Sequence, residues 1–357
     1  MIYIHVPFCR SFCIYCDFYS QTCKSTDSLK VQKYTAALLK EISERRSEIS
    51  AASTPQTLYI GGGTPSVLPL SFFSDVVNAL GCDSYTEFTV EVNPDDITQK
   101  GASYVKALLS LGVNRISMGV QSLNGNILKW MNRRHDAQSA IKAYSILKEA
   151  GVPNVSLDLI FGLSQMSDSV LEQTLDLFIQ LRPEHISAYQ LSIEEGSALF
   201  QMQKRGQYTE ASQEQCARQY QIICSKLALA GYNHYEISNW ALPGYEAVHN
   251  SAYWTRRPYV GLGPSAHSFD GLKRKWNSCS VESWTQESET LTAEQERIES
   301  IMLSLRTSEG VDAKLISNKS ALQEHLTRGL LIFTSQGKVR IPDDYFFISD
   351  SIISSLV

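Results

Sequence analysis

Tyr3-Ile4-His5-Val6-Pro7-Phe8-Cys9-Arg10-Ser11-Phe12-Cys13-Ile14-Tyr15-Cys16 is a short β-branched run that leads at once into three cysteines. Tyr3–Val6 reads as a strand, and the C-x3-C-x2-C spacing falls in the loop that leaves it. Three thiolates this close can wrap one face of an iron–sulfur cube, whose irons favour soft sulfur ligands. Three ligands for four irons leave one iron open to a substrate or cofactor, as catalytic zinc keeps an open position. Zinc is the rival reading, but it usually takes a second C-x2-C pair or closely spaced histidines, and neither lies nearby. His5 sits on the strand and reads as structural. The chain has 8 cysteines in 357 residues, too few for a disulfide scaffold, and Cys23, Cys82, Cys216, Cys224 and Cys279 match no motif. These five read as buried or incidental, and the tight cluster as metal or catalytic chemistry in a reducing compartment.

Outward from this stretch, β-branched runs alternate with amphipathic patterns up to about residue 195. The expected strands are Tyr3–Val6, Thr57–Ile60, Glu87–Val92, Arg115–Val120, Val155–Phe161 and His185–Leu191. Between them, Val31, Tyr34, Leu38, Ile42 and Ile49 form a stripe at helical spacing, interrupted by Arg45. Further helices are expected at Ser71–Leu80, Gly101–Leu111, Ser139–Ala150 and Ser169–Leu181, with Gly81, Gly112 and Gly151 as terminators. Six β-then-α units predict an α/β fold with a parallel sheet, curled as a partial barrel or open. Ligands in such sheets gather in the loops at the carboxyl ends of the strands. After Glu195 the rhythm changes to a long helix (Ser212–Ala230), an aromatic glycine-rich stretch (Tyr232–Phe269), a helix (Ala293–Arg306) and a mixed tail. The expected division is 1–200, 201–290 and 291–357.

Composition narrows the partners. With 43% apolar and 19% charged residues the chain is neither disordered nor low-complexity. The longest apolar runs are far shorter than the ~18–20 residues of a membrane helix, and the N-terminus lacks a basic segment and cleavage site. A cytoplasmic location is expected. The net charge of −5 and the lack of a basic stripe argue against nucleic acid; Arg133-Arg134 and Lys273-Arg274-Lys275 read as solvated surface, although one or two of these arginines could hold an anionic ligand.

Other strand ends carry polar residues. Gly61-Gly62-Gly63-Thr64-Pro65-Ser66 follows the second strand; glycines there let backbone groups approach a ligand, although a tight turn explains them equally well. The spacing is neither a Rossmann nor a Walker pattern. Glu91 precedes Asn93-Pro94, and Gln121 ends the fourth strand. Asp158 interrupts an apolar run, where an acid is costly unless it is paired or faces a ligand.

Taken in order, the cysteine triad, GGGTPS, EVNPDD, RISMGVQS and LDLIFGL resemble the radical S-adenosylmethionine superfamily, in its oxygen-independent coproporphyrinogen III oxidase-like branch. The resemblance covers essentially the whole chain. It implies a partial (βα)6 TIM-like barrel with a smaller mixed α+β C-terminal region. It also implies a [4Fe–4S] cluster on Cys9, Cys13 and Cys16, with S-adenosylmethionine chelating the fourth iron. By the same resemblance Tyr3, Tyr15, Gly62, Gly63, Thr64, Glu91, Gln121, Arg133 and Asp158 contact that cofactor. Carboxylates suit its amino or ribose hydroxyl groups, and Arg133 its carboxylate. One electron from the cluster would then cleave the sulfonium bond and release a 5′-deoxyadenosyl radical, aimed by the barrel.

Within the branch, the dehydrogenases resemble C-x3-C-x2-C-x-C and carry an N-terminal extension. Here Phe18 stands at the fourth-cysteine position and Cys9 follows almost at once, as in the HemW-type haem chaperone subfamily. His249-Asn250-Ser251-Ala252-Tyr253-Trp254 matches that subfamily's H-N-x-x-Y-W segment. Imidazole ligates haem iron and aromatic faces pack on porphyrin, so His249, Asn250, Tyr253 and Trp254 are expected haem contacts, while His267 reads as structural. Ser164 stands where relatives carry proline after GL, which alters loop stiffness near Asp158. The implied function is a haem chaperone with haem as cargo, served by a haem donor and an electron donor. Its acceptors would be membrane-bound respiratory proteins, approached from the cytoplasm at the membrane periphery. The alternative is oxidative decarboxylation of coproporphyrinogen III propionates to vinyls.

Overall fold

The computed structural model describes residues 1–23, 28–52, 54–82 and 84–357. Six parallel strands follow one another in space as in sequence: β1 (Ile2–Val6), β2 (Thr57–Gly62), β3 (Glu87–Val92), β4 (Arg115–Gln121), β5 (Asn154–Phe161) and β6 (His185–Gln190). Each matches an expected strand to within two residues at either end. Helices return the chain after most strands: α1 (Leu29–Glu44), α2 (Leu70–Leu80), α3 (Pro94–Ser110), α4 (Ala137–Ala150) and α5 (Asp168–Leu181). Such sequential βα order is the partial barrel that the alternation predicts.

Local chemistry sets the helix limits. Ser28, Ser167 and Asp136 cap α1, α5 and α4 by accepting a backbone N–H two or three residues into the helix, while Gly81 and Gly151 end α2 and α4 in the left-handed region. The third helix differs from expectation. It begins at Pro94 behind the cap Asn93, and Gly101 breaks its backbone at φ 70°, so the expected start at Gly101 is an internal kink. The Arg45 that interrupts the stripe of α1 is buried at the helix end, where it donates to Glu41 at 2.9 Å and to the Gly261 carbonyl at 2.7 Å.

Three strands lie outside the expected set: β7 (Asn233–Glu236), β8 (Asn239–Ala241) and β9 (Val260–Leu262). β9 runs parallel beside β1, and β8 runs antiparallel beside β6 with β7 outside it. Among the described residues these nine strands form one sheet in the order β9-β1-β2-β3-β4-β5-β6-β8-β7. Residues 233–262, which the sequence sets in a region of their own, thus supply both edges of the barrel sheet. The tail packs into the same core, with Ile301, Phe346 and Ile352 contiguous with the barrel residues. No helix among the described residues is long and apolar enough to cross a membrane.

The sheet has two unlike faces. Ile4, Leu58, Phe88, Met118, Leu157 and Ile186 are fully buried toward the helices. Because side chains alternate along a strand, the opposite face carries His5, Tyr59, Glu91, Ser117, Asp158 and Ser187. Parallel strands covered on both sides usually read as continuous apolar runs. The polar alternation here builds a lumen that holds charge.

Candidate functional site

The cysteine loop is folded back over the carboxyl ends of the strands. Phe8–Cys9 pairs in parallel with Gln21–Thr22, and Cys23 N donates to the Cys9 carbonyl at 2.8 Å. Cys9 is buried, while Cys13 and Cys16 are half-buried. Thr64 Oγ1 donates to Cys9 Sγ at 3.5 Å, and Arg133 Nη1 to Cys13 Sγ at 3.3 Å. Burial pushes the Cys16 thiol up to about 11 and raises that of Cys9; a bound metal's charge is what deprotonates such a thiol outright. Among the described residues no three Cys, His, Asp or Glu side chains converge on one ion-sized point. Thiols spread over the face of a cube need not do so.

The glycine turn lies directly under this loop. Gly63 N donates to the Val6 carbonyl at 2.8 Å. A Cβ on Gly63 would stand 2.8 Å from the Phe8 carbonyl and 3.0 Å from Cys9 Sγ, so only glycine lets the two strand ends approach. Gly62, at φ 111°, turns its N–H onto Glu91 Oε2 at 3.1 Å. Tyr59 OH donates to the other oxygen, Oε1, at 2.8 Å. Loss of solvent raises Glu91 to about 7, and the charge of Asp158 adds to the shift. Asp158 is raised to about 6, again by burial first, although Ser187 and Ser117 hydrogen bonds oppose it. Two carboxyl groups that titrate near neutrality thus face one lumen.

These groups line a cavity of ≈ 610 Å³ between the cysteine loop and the ends of β2–β6, a volume in the range of small-molecule sites. All three cysteines reach it, as do Tyr15, Gly62, Gly63, Thr64, Glu91, Gln121, Arg133 and Asp158. Two lining groups are left wanting. Gln121 is held at φ 69°, unusual for a residue with a side chain, and its Oε1 is buried with no partner among the described residues. Arg133 donates through Nη2 to the Gly119 carbonyl, yet its Nε is buried and unpartnered.

Tyr3 is the exception among the expected cofactor contacts. It does not line the cavity: its hydroxyl is bonded to His5 Nδ1 at 3.0 Å, and it lies in register with Tyr59. The expected haem contacts also sit elsewhere. His249, Tyr253 and Trp254 form a short helix (Val248–Trp254), of which only Asn250 touches the cavity. His249 is 1% exposed; Nδ1 is bonded to Thr57 Oγ1 and Nε2 to Tyr253 OH, both at 2.8 Å. With both nitrogens occupied, the ring has no lone pair free for an iron. An H-N-x-x-Y-W string shows an imidazole near aromatic rings, but not that the rings' hydroxyls already satisfy it.

Conversely, Tyr59, Arg115, Ser117, Ser187 and Tyr189 line the cavity without having been expected. Each occupies a lumen-facing position of a strand, so the period-two polar pattern of β2, β4 and β6 could have found them.

Comparisons with known proteins bear on the family and the fold. The family model of the Radical SAM superfamily matches residues 3–178. The protein of Bacillus subtilis (strain 168) named "Heme chaperone HemW" is 32% identical over 94% of this chain and 96% of its own length. A protein of that name from Lactococcus lactis subsp. lactis (strain IL1403) is 30% identical over 99% of this chain and 96% of its own. Among solved structures, the Escherichia coli coproporphyrinogen III oxidase HemN, described as a radical SAM enzyme, superposes with a TM-score of 0.80. It covers 99% of this chain and 89% of the other at 20% identity, a likeness of fold. The chain therefore belongs to the radical SAM superfamily and, within it, to the HemW family.

Proposed function

We propose that the protein is a haem chaperone that binds haem and passes it to acceptor haemoproteins, with a [4Fe–4S] cluster and S-adenosylmethionine in the cavity described above. Similarity over nearly the whole chain to proteins named heme chaperone carries this reading. Phe18, at the place of the fourth cysteine of the dehydrogenase pattern, supports it against propionate decarboxylation.

The cavity fits the two cofactors. Cys9, Cys13 and Cys16 supply three thiol ligands, and the bare backbone of Gly63 leaves room beside Cys9. The buried, unpartnered Gln121 Oε1 and Arg133 Nε await polar groups, as a zwitterionic ligand would provide. Arg133 takes the carboxylate, and Glu91 and Asp158 take amino or hydroxyl groups. When bound, the pair supplies one-electron chemistry at the sulfonium. The residues around it orient the ligand and exclude water. The acceptors under this reading are membrane-bound respiratory proteins met at the membrane periphery, and a cytoplasmic reductant serves the cluster.

An anaerobic haem titration of the cluster-reconstituted protein, followed at the Soret band, tests the proposal. Saturable binding near one haem per chain is expected. Absence of saturable binding, with turnover of coproporphyrinogen in its place, would overturn it.

A further inference from the structure

We propose that His249 is a positioning residue for Glu91, acting through Tyr59, and that helix Val248–Trp254 is the floor of the cofactor cavity, not a clamp on haem. The proposal rests on S-adenosylmethionine binding in that cavity and deepens the reading above.

The helix is fastened to the amino-terminal ends of the strands. Glu87, the first residue of β3, accepts from Val248 N at 2.7 Å and from His249 N at 3.2 Å. Thr57, the first residue of β2, bonds the imidazole at Nδ1, and Tyr253 bonds it at Nε2. Burial, the N-terminal ammonium and Arg115 keep the proton off this ring and hold it at about 3. A neutral imidazole has one donor and one acceptor nitrogen, and hydroxyls can serve either. The ring is therefore fully engaged, and its orientation is fixed at both edges.

What it fixes is Tyr59. The two ring centroids are 5.2 Å apart at 33°, and on another side the Tyr3 ring stands 6.0 Å from Tyr59 at 35°. Tyr59 is held between the two rings, so its hydroxyl has one direction to point, onto Glu91 Oε1. The same carboxyl accepts from Gly62 N in the glycine turn. A line of contacts thus runs from the motif at the floor, through Tyr59, to the acid and backbone that face the cofactor. Asn250, next to His249, lines the cavity itself.

The charged and titratable groups facing Glu91 are Tyr3 on β1, Tyr59 on β2, Arg115 on β4, Asp158 on β5 and Tyr189 on β6. Of these, Tyr59 donates the hydrogen bond that favours the carboxylate. A carboxylate that receives an ammonium group must be ionised, so binding of an amino-acid ligand strengthens as pH rises through the Glu91 transition. Losing the Tyr59 bond, or the ring that aims it, moves that transition upward.

The test is calorimetric titration of S-adenosylhomocysteine into the cluster-reconstituted protein between pH 6 and 9, for the wild type, Tyr59→Phe, His249→Leu and His249→Gln. Haem is titrated into the same samples. Tyr59→Phe and His249→Leu are expected to shift the pH midpoint of binding upward and to weaken binding at pH 7 by about tenfold or more, the scale of a lost hydrogen bond to a charged group. His249→Gln, which keeps a donor and an acceptor for Thr57 and Tyr253 but lacks the ring, should shift the midpoint upward by less than His249→Leu does, and haem binding should be unchanged throughout. Should His249→Leu fail to fold, Tyr59→Phe and His249→Gln still decide the matter. An unmoved midpoint in Tyr59→Phe, or a loss of affinity equal at every pH, would overturn the proposal, as would loss of haem binding alone in His249→Gln. A wild type that binds no S-adenosylhomocysteine at any pH would overturn the underlying reading as well.

Discussion

The helix-facing and lumen-facing sides of strands β2–β6 are both shielded from bulk solvent, yet they are made of different chemistry. Toward the helices stand Leu58, Phe88, Met118, Leu157 and Ile186, each at most 1% exposed. Toward the lumen stand Tyr59, Glu91, Arg115, Asp158 and Ser187. Apolar burial on the first side stabilises the fold in proportion to the area removed from water. On the second side, desolvated carboxyl groups and unpartnered polar atoms cost stability. Groups kept at that cost at the centre of a sheet are what the proposed cofactor site needs.

The largest expected effect lies on the helix-facing side. Leu157→Ala should lower the unfolding free energy in urea by about 2–5 kcal/mol, the usual cost of a buried leucine. S-adenosylhomocysteine affinity per folded molecule should stay unchanged. A loss of affinity without a loss of stability would break the distinction between the faces.

On the lumen side the cost depends on pH. Glu91 titrates at about 7 in the folded protein against an ordinary glutamate value of 4.5, so the folded state holds the extra proton across that interval. Its contribution is most favourable below about pH 4.5 and is lost as pH rises through 7. The loss amounts to up to about 3 kcal/mol at one pKa unit per 1.36 kcal/mol. Glu91→Gln removes the titrating group. Urea unfolding from pH 5 to 8 should therefore show a flatter pH dependence than the wild type, with the variant gaining stability relative to it toward pH 8 while binding S-adenosylhomocysteine more weakly. An unchanged pH slope would contradict the account of Glu91.

A smaller effect sharpens the contrast at the turn joining the two sides. Gly63→Ala places a methyl group against the Phe8 carbonyl and Cys9 Sγ, an overpacking strain of about 1–3 kcal/mol. Its clearest sign should be less iron and sulfide per chain after reconstitution, because the displaced sulfur is a cluster ligand under this reading. Full iron content in the variant would show that the close approach is only a packing detail.

Much of this was legible before the structure. The six central strands announce themselves through β-branched runs bounded by turns; the cysteine triad, glycine turn, Glu91 and Gln121 lie at strand ends where the topology collects them. Asp158 stands out as an acid inside an apolar strand, whereas Arg133, beyond the short helix after β4, came to the cofactor site from the family resemblance. β8 and β9 were illegible because three residues carry no period, and their aromatic, glycine-rich surroundings hide them. Tyr59 and Arg115 were missed for another reason. A tyrosine or a strand-opening arginine does not announce a ligand by residue type on its own, and only the period-two alternation of its strand places it on the lumen face. Tyr3 and His249 differ in the opposite direction: their residue types suit a ligand, and in the structure His5, Thr57 and Tyr253 occupy their polar atoms. Spacing along the chain shows what could meet a cofactor, whereas hydrogen-bond satisfaction decides what is free to do so.

The most direct test of the central claim is electron paramagnetic resonance of the anaerobically reconstituted, reduced protein, recorded with and without S-adenosylmethionine. A cavity that binds this cofactor at an open iron predicts a [4Fe–4S] signal whose line shape changes on addition of S-adenosylmethionine and which is lost in Cys16→Ser. A signal indifferent to S-adenosylmethionine, or one that survives in Cys16→Ser, would contradict it.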